Sequence, residues 1–316
     1  MIKVGIIGGA GYTAGELIRI LLGHPDAEIV FVNSTSNAGN KLSAVHEGLM
    51  GETDMVFTDQ LPLDTIDVLF FCTAHGDTRK FMEANTLPEG LKVIDLSMDY
   101  RLEAEDNPFI YGLPELNRRA ICKSQYVANP GCFATAIQLA LLPLARNLML
   151  NSPITLHVAI GQSTLPPEGH TLDGMTAEQW ALDQQQEVEY VLRQCQNSFC
   201  QPVSLSVTRL AERRTLAVAA QFKCGVAAEM IAQLYEQYYD DHNFVFIVNR
   251  PLVTADIENT NKCLIRLDKD ESSGLLTIHA VMDVLLKGCA GNAVHAMNLM
   301  FGLHERVGLT LKGTGC

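Results

Sequence analysis

The amino-acid sequence predicts an α/β protein with a Rossmann-like doubly wound parallel sheet and a second α+β domain with a mixed sheet. A strand-like apolar run, Ile2–Ile7, is followed by a glycine-rich turn and a helical pattern. Strand and helix patterns then alternate, which is typical of a parallel sheet. The chain has 316 residues, of which 47% are hydrophobic, enough for two separate cores.

The predicted first domain comprises residues 1–149 and 287–316, and the second comprises residues 150–286. Strands of the first domain are predicted at residues 2–7, 28–33, 67–72, 92–96 and 125–128. Helices are predicted from the glycine turn to Leu22, at about 77–85, at about 290–300, and from Cys132 to Pro143, where proline should end the helix.

The second domain is predicted to be a mixed sheet with helices on it. Its strands are expected at residues 154–160, 203–207, 216–222, 263–267 and 275–283, with a helix at 227–239. Residues 177–193, which include the single tryptophan Trp180, predict an amphipathic helix that covers the sheet. A contact helix for another subunit is the alternative.

The net charge and the cysteine pattern indicate which partners and which cellular compartment to expect. The net charge of −13 argues against nucleic acid and membrane surfaces as partners, although it leaves an anionic small molecule open. The nine cysteines are odd in number and lack C-x-x-C pairs, so neither a disulfide framework nor a metal site is expected. With no signal peptide or membrane-length apolar run, we expect a cytoplasmic protein.

The turn after the first strand resembles a dinucleotide-binding fingerprint. Gly8, Gly11 and Gly15 are spaced to allow a tight turn, close approach of a pyrophosphate and helix packing, with phosphate at the helix N-terminus. Tyr12 and Thr13 lie in the same turn. A glycine-rich turn without a ligand is the alternative, and the strand–turn–helix context favours the cofactor.

The end of the second strand predicts NADP rather than NAD. It is followed by Ser34 and Ser36 and not by the acidic residue that binds a ribose 2′-hydroxyl. Small hydroxyls, together with Lys41, suit a 2′-phosphate, although an ordinary polar turn would look similar.

Two further strand-end loops are candidate ligand contacts, because open α/β sheets bind ligands at the carboxyl ends of their strands. One contains His75 and Gly76, where His75 could equally begin a helix. The other, residues 97–101, ends in Arg101 and follows Asp95, a polar set denser than a turn requires.

Cys132 has the setting of a nucleophile. It follows Pro130-Gly131 and precedes an apolar helical run, which places it at a helix N-terminus. Unpaired N–H groups and the macrodipole there would favour the thiolate. A buried structural cysteine is the alternative.

Together these motifs resemble the N-acetyl-gamma-glutamyl-phosphate reductase family of arginine biosynthesis, which is related to aspartate-semialdehyde dehydrogenase. The stretches that carry the resemblance are Asp95-Leu96-Ser97-Met98-Asp99-Tyr100-Arg101-Leu102, Tyr111-Gly112-Leu113-Pro114-Glu115-Leu116-Asn117-Arg118, Asn129-Pro130-Gly131-Cys132, Lys287-Gly288-Cys289-Ala290-Gly291-Asn292-Ala293-Val294 and Asn298-Leu299-Met300-Phe301-Gly302-Leu303.

The resemblance implies an NADPH-dependent reduction of an acyl phosphate to an aldehyde, and a homodimer or homotetramer. Cys132 matches the nucleophile of the family, and the Gly8–Gly15 loop matches its cofactor loop. Arg101, Asn129 and Arg213 are the candidate substrate contacts.

The sequence departs from the family between residues 161 and 215. No lysine or arginine occurs between Arg146 and Arg193, and the usual loop after residue 160 is absent. Gln184 stands where the family has its acid–base histidine. The stretch Glu212-Arg213-Arg214-Thr215 stands nearest to a missing Pro-Arg-Gly motif, where only an arginine could substitute. His170 is the candidate replacement base, with a solvated surface histidine as its alternative.

Two classes of function therefore stay open at this point. The first is an active reductase of N-acetyl- or N-succinyl-glutamyl phosphate. The second is a non-catalytic descendant that keeps NADP binding for regulation or for assembly with an active partner.

Overall fold

The computed structural model describes residues 1–102, 107–161 and 175–314. They form two compact units, a first unit of Met1–Pro130 with Cys289–Thr310 and a second unit of Gly131–Gly288 with Leu311–Cys316. The predicted division at residues 149 and 286 stays a prediction, and the helix that begins at Cys132 packs within the second unit.

The first unit contains a parallel sheet. Its strands are β1 (Ile2–Ile7), β2 (Ala27–Asn33), β3 (Val68–Phe71), β4 (Lys92–Asp95), β5 (Ile110–Tyr111) and β6 (Tyr126–Ala128). The spatial order is β2-β1-β3-β4-β6-β5, and every neighbouring pair is parallel.

The second unit contains a mixed sheet. Its strands are β7 (Ile154–Ile160), β8 (Val203–Arg209), β9 (Thr215–Lys223), β10 (Val245–Ile247), β11 (Cys263–Asp270) and β12 (Leu275–Asp283), in the order β10-β11-β12-β9-β7-β8. The outer pairs β7–β8 and β10–β11 are parallel, and the pairs between them are antiparallel. The predicted fold class is confirmed in both units.

The helices lie at the predicted places, with one addition. They are α1 (Tyr12–Leu22), α2 (Asp77–Ala84), α3 (Pro114–Ile121), α4 (Cys132–Arg146), α5 (Ala177–Cys195), α6 (Ala228–Tyr239) and α7 (Gly291–Met300). The addition is α3, which the sequence analysis leaves out, as it does β5 and β10; β5 with two residues and β10 with three are too short to show a period.

In the second unit, α4 and α5 form the layer on one face of the sheet. All residues of α4 from Cys132 to Ala145 are buried, and the helix packs on β9 and β12. The expectation that 177–193 forms a covering helix is confirmed, since α5 packs on α4 and β8. Trp180 meets Phe133 edge-on, with ring centroids 4.9 Å apart.

The prediction that Pro143 ends the helix after Cys132 is wrong. α4 continues through Pro143 to Arg146. A proline has no N–H for the carbonyl four residues earlier, here that of Leu139. That carbonyl instead accepts a hydrogen bond from the Tyr239 hydroxyl of α6 at 2.5 Å. A hydrogen bond from another helix thus pairs the Leu139 carbonyl that Pro143 leaves without its helical donor.

In the described part of the chain, no helix combines the length and the apolar character that a membrane span requires.

Candidate active site

The glycine turn between β1 and α1 can be built only from glycine at its first position. Gly8 has φ +80°, and a Cβ placed on it would lie 2.5 Å from the carbonyl oxygen of Cys72. The N–H of Gly9 donates to the carbonyl of Asn33 at 2.8 Å. The turn therefore lies directly against the carboxyl ends of β2 and β3.

The N-terminus of α1 is left open for an anion. Its N-cap is Gly11, which has no side chain to cap the helix. The first turn carries no acidic residue. A Cβ built on Gly11 would meet nothing within 4 Å. Tyr12 beside it is exposed, and the Thr13 hydroxyl accepts a hydrogen bond from the Cys289 thiol at 3.6 Å. Open N–H groups at a helix N-terminus are what a pyrophosphate binds.

His46 braces this turn, and sequence reasoning missed it. Its Nε2 lies 2.7 Å from the carbonyl oxygen of Gly9. A Cβ on Gly15 would come within 2.6 Å of its Nδ1, so the ring occupies the space that Gly15 leaves. The helix-packing role predicted for Gly15 therefore involves a histidine from an irregular segment, which has no periodic signal.

Hydroxyl and amide groups cluster after β2. The Asn37 side chain donates to Ser34 Oγ at 3.1 Å and to Ser36 Oγ at 3.2 Å. Lys41 forms an exposed ion pair with Asp54 at 2.8 Å, and its hydrogen bond to that carboxylate raises the pKa of Lys41. The described groups suit a 2′-phosphate, and this assignment stays a prediction.

The loop after β3 is held by the loop after β4. The Nδ1 atom of His75 accepts a hydrogen bond from the N–H of Met98 at 3.0 Å. Gly76, at φ +88°, is the N-cap of α2, and the Asp99 carboxylate accepts from its N–H at 2.5 Å. A neutral His75 therefore carries its proton on Nε2.

A buried carboxylate ties these loops to the sheet. Asp95 accepts hydrogen bonds from the hydroxyls of Thr78 and Ser97, each at 2.8 Å. Burial raises the pKa of Asp95, and the hydrogen bonds from Ser97 and Thr78 oppose that shift.

Arg101 and Asn129 belong to a buried network in the first unit. Arg101 donates from Nε to the carbonyl of Asn129 at 2.9 Å and from Nη2 to the carbonyl of Leu96 at 3.1 Å. The Asn129 Oδ1 atom accepts from Asn292, which also donates to the carbonyl of Gly112. These contacts fix the ends of β4 and β6, and a direct role of Arg101 or Asn129 in substrate binding stays a prediction.

Cys132 is the first residue of α4, as the sequence predicted. Gly131 is its N-cap with an extended backbone, and the carbonyl of Gly131 accepts from both the N–H and the hydroxyl of Thr135. Gly288 lies beside it: a Cβ there would come 3.0 Å from Cys132 Cβ. The thiol is thus held in a tight backbone setting, only 6% exposed.

The expectation that unpaired N–H groups surround Cys132 is wrong. Glu187 Oε1 accepts the N–H of Gly131 at 2.9 Å. Gln184 Oε1 accepts the N–H of Phe133 at 2.7 Å and of Ala134 at 3.3 Å. Both side chains come from α5 and are buried. These side chains occupy N–H groups that the sequence analysis expected to be open to an anion.

The two arginines near the β8–β9 turn differ in their settings. Arg214 forms a bidentate pair with the fully buried Asp283, with Nε–Oδ2 at 2.8 Å and Nη2–Oδ1 at 3.2 Å. Arg213 is exposed, and its carbonyl packs against Gly161 at the end of β7. A role of Arg213 in substrate binding stays a prediction.

His170 lies outside the described residues, as does the rest of the segment 162–174.

Replacing Gly8 by alanine should weaken NADP binding by at least about tenfold and lower the melting temperature. The substitution adds left-handed strain and forces the backbone away from the Cys72 carbonyl. Isothermal titration with NADP and a thermal melt measure the two effects. Gly90→Ala is the matched control, because Gly90 has φ +81° with nothing within 4 Å of its Cβ position and lies outside the predicted cofactor loops. Equal effects of both variants on NADP affinity would contradict the role of Gly8.

Two domain families match this chain, one in each unit. The semialdehyde dehydrogenase NAD-binding domain matches residues 3–124, and the semialdehyde dehydrogenase dimerisation domain matches residues 183–283. The chain is 54% identical to N-acetyl-gamma-glutamyl-phosphate reductase of Bacteroides thetaiotaomicron, with 99% of each chain covered. It is 53% identical to the enzyme of that name from Phocaeicola vulgatus, again over 99% of each.

Solved structures of similar fold are aspartate-semialdehyde dehydrogenases. The Vibrio cholerae enzyme II superposes with a TM-score of 0.69 at 17% identity, covering 96% of this chain and 99% of that one. The Candida albicans enzyme, solved with NADP, gives a TM-score of 0.71 at 15% identity, covering 95% and 98%.

Proposed function

Because this chain belongs to the N-acetyl-gamma-glutamyl-phosphate reductase family, we propose that it reduces an N-acyl-γ-glutamyl phosphate to the semialdehyde, with release of phosphate, in arginine biosynthesis. The observation that carries the proposal is Cys132 at the first position of α4 in a chain similar to these reductases along its whole length. The reductase name of the relatives favours this activity over a non-catalytic descendant.

Cys132 performs the covalent step. Its thiolate attacks the acyl carbon of the substrate, the C–O bond to phosphate breaks, and a thioester forms on the sulfur. Reduction of the thioester leaves a tetrahedral oxyanion, which collapses to the aldehyde and returns the thiolate. Covalent capture thus converts a carboxylate derivative into one that accepts hydride.

The cofactor that fits the first unit is NADP, and when bound as NADPH it supplies the hydride. The open N-terminus of α1 and the turn at Gly8 would hold its pyrophosphate. Ser34 and Ser36 would hold its 2′-phosphate, since no carboxylate follows β2 at that place. His75 and Gly76 lie at the end of β3, along the same sheet edge.

For the anionic substrate we propose Arg213, which lies exposed at the turn between β8 and β9. Arg214 is a poorer candidate because the buried Asp283 already binds it at both nitrogens. Arg213→Gln should raise the KM for the acyl phosphate more than it lowers kcat, because the residue binds the substrate without entering the reaction. An unchanged KM would exclude the assignment.

We further propose a homodimer, formed through the sheet face of the second unit opposite to α4. A row of small and polar side chains crosses that face: Ser206, His157, Ala219, His279 and Arg266 are register neighbours. The matched dimerisation domain supports this assembly. Ala219→Arg should convert the dimer to a monomer. In sedimentation equilibrium the molecular mass should fall from that of two chains to that of one. A wild-type monomer would contradict the proposal.

We place the protein in the cytoplasm. The eight cysteines among the described residues are all free thiols, which a reducing compartment preserves.

The reverse reaction tests the proposed activity. Purified protein is supplied with N-acetylglutamate semialdehyde, phosphate and NADP⁺, and NADPH formation is followed by absorbance. We expect phosphate-dependent NADPH formation, with Cys132→Ser as the inactive control. Tight NADP binding without any NADPH formation would overturn the reductase and leave the non-catalytic descendant.

A further inference from the structure

The side-chain nitrogen of Gln184 is a buried hydrogen-bond donor with no acceptor in the described residues. Gln184 is fully buried on the inner face of α5. Its Oε1 accepts two N–H groups, whereas its Nε2 has no partner. Buried polar groups are rarely left unpaired, because each such group loses its hydration without compensation.

The orientation of this amide group is fixed by its neighbours. The N–H groups of Phe133 and Ala134 are both donors, so the side-chain oxygen must face them. The opposite assignment would place a donor against two donors. The NH₂ group is therefore the free end, and it is held rigidly because two hydrogen bonds anchor the oxygen.

The side-chain amide of Gln184 contacts the backbone next to the nucleophile. Phe133 follows Cys132 directly, and Glu187 on the next turn of α5 binds the N–H of Gly131 on the other side. Gln184 and Glu187 thus bind the backbone N–H groups on both sides of Cys132. The Gln184 side-chain amide therefore binds the residue next to the one that would carry the acyl group.

We propose that Gln184 is a catalytic residue that donates its Nε2–H to the acyl oxygen on Cys132 and stabilises the oxyanion. The inference rests on the proposed function and names a new role within it. An amide donor aimed at developing charge in a water-poor site is worth more than one in water, since it needs no reorganisation.

The atoms and charges of the reaction balance without a titrating group at this position. When the thiolate attacks, the S–C bond forms and the carbonyl electron pair moves to oxygen, where Gln184 binds it. The pair returns as the C–O bond to phosphate breaks. Hydride addition to the thioester repeats the oxyanion, which collapses as the C–S bond breaks. The one proton consumed overall ends on phosphate.

Two reactions of the same thiol test the proposal. Acylation by p-nitrophenyl acetate passes through an oxyanion and releases p-nitrophenolate, whereas alkylation by iodoacetamide passes through none. Both rates are measured at one pH, with Cys132→Ser as the blank, and their ratio cancels changes in thiolate content. N-acetylcysteine provides the ratio for a thiol without a protein donor.

Gln184→Glu is the critical variant, because a carboxylate still accepts the two N–H groups but cannot donate. We expect the acylation-to-alkylation ratio to fall by about a hundredfold relative to wild type. Gln185→Glu adds the same charge one residue along α5, where the side chain contacts Glu189 and Val203, and should leave the ratio unchanged. Gln184→Met removes donor and acceptor together, and its ratio should fall as well.

A wild-type ratio equal to that of N-acetylcysteine, or a ratio in Gln184→Glu within threefold of wild type, would overturn the proposal. A purely structural role predicts that both rates change in parallel. Circular dichroism shows whether Gln184→Glu folds. If it does not, the proposal is tested by the ratio of Gln184→Met and by the ratio of wild type relative to that of N-acetylcysteine. None of these rates requires NADP or an acyl phosphate. A failure of this proposal can therefore be distinguished from a failure of the proposed reductase activity.

Discussion

Replacement of Cys132 by serine is expected to lower kcat for acyl phosphate reduction by about 10⁴-fold or more. A serine hydroxyl ionises far less readily than a thiol. The N–H groups of Gly131, Phe133 and Ala134 do not compensate for this, because Glu187 and Gln184 already bind them. NADP affinity should be unchanged, because the substitution leaves the glycine turn at Gly8 and the N-terminus of α1 intact.

The other cysteines provide the controls for this experiment. Burial raises the pKa of Cys72 and of Cys289, so neither thiol is a ready substitute nucleophile. Cys200 is exposed and remote in sequence from the motifs, and Cys200→Ser should retain wild-type kcat. Residual activity of Cys132→Ser above about one percent of wild type would exclude the thioester route.

Replacement of Arg214 by methionine is expected to reduce the free energy of unfolding by about 3 kcal/mol or more. Asp283 is fully buried, and the substitution removes both of its side-chain ion-pair contacts. Three backbone N–H groups, those of Asn259, Leu285 and Leu286, would still bind the carboxylate, which keeps the loss near the lower end of the range for broken buried pairs.

Urea unfolding at neutral pH measures this change. Arg213→Met is the matched control, because the same side chain is removed from an exposed neighbour. We expect that variant to lie within about 0.5 kcal/mol of wild type. A loss below about 1 kcal/mol for Arg214→Met would show that the three N–H groups alone satisfy Asp283.

The elements that could be predicted are those whose pattern is local. β1, the glycine turn and α1 follow from an apolar run, three glycines and a helical period within about twenty residues. The position of Cys132 at a helix start follows from Pro130-Gly131 and the apolar run behind it. The continuation of α4 through Pro143 could not be predicted, because the hydroxyl that binds the Leu139 carbonyl belongs to Tyr239, far along the chain.

The contacts of the candidate site could not be predicted because they depend on tertiary packing. Nothing local indicates that α5 would cap α4, yet Gln184 and Glu187 occupy the N–H groups that sequence reasoning left free. His46 likewise meets Gly15 from an irregular segment. Arg101 carries the charge expected of a substrate contact, while its described hydrogen bonds go to backbone carbonyls.

We expect Cys132 to carry the acyl group during the reaction. The experiment is to mix the protein with N-acetyl-γ-glutamyl phosphate in the absence of NADPH, quench in acid and analyse the peptides by mass spectrometry. We expect an N-acetylglutamyl adduct on the peptide that contains Cys132, one phosphate released per adduct, and loss of the adduct when NADPH is added before quenching. Phosphate-releasing turnover with no adduct on Cys132, or an adduct on another cysteine that NADPH discharges, would contradict it.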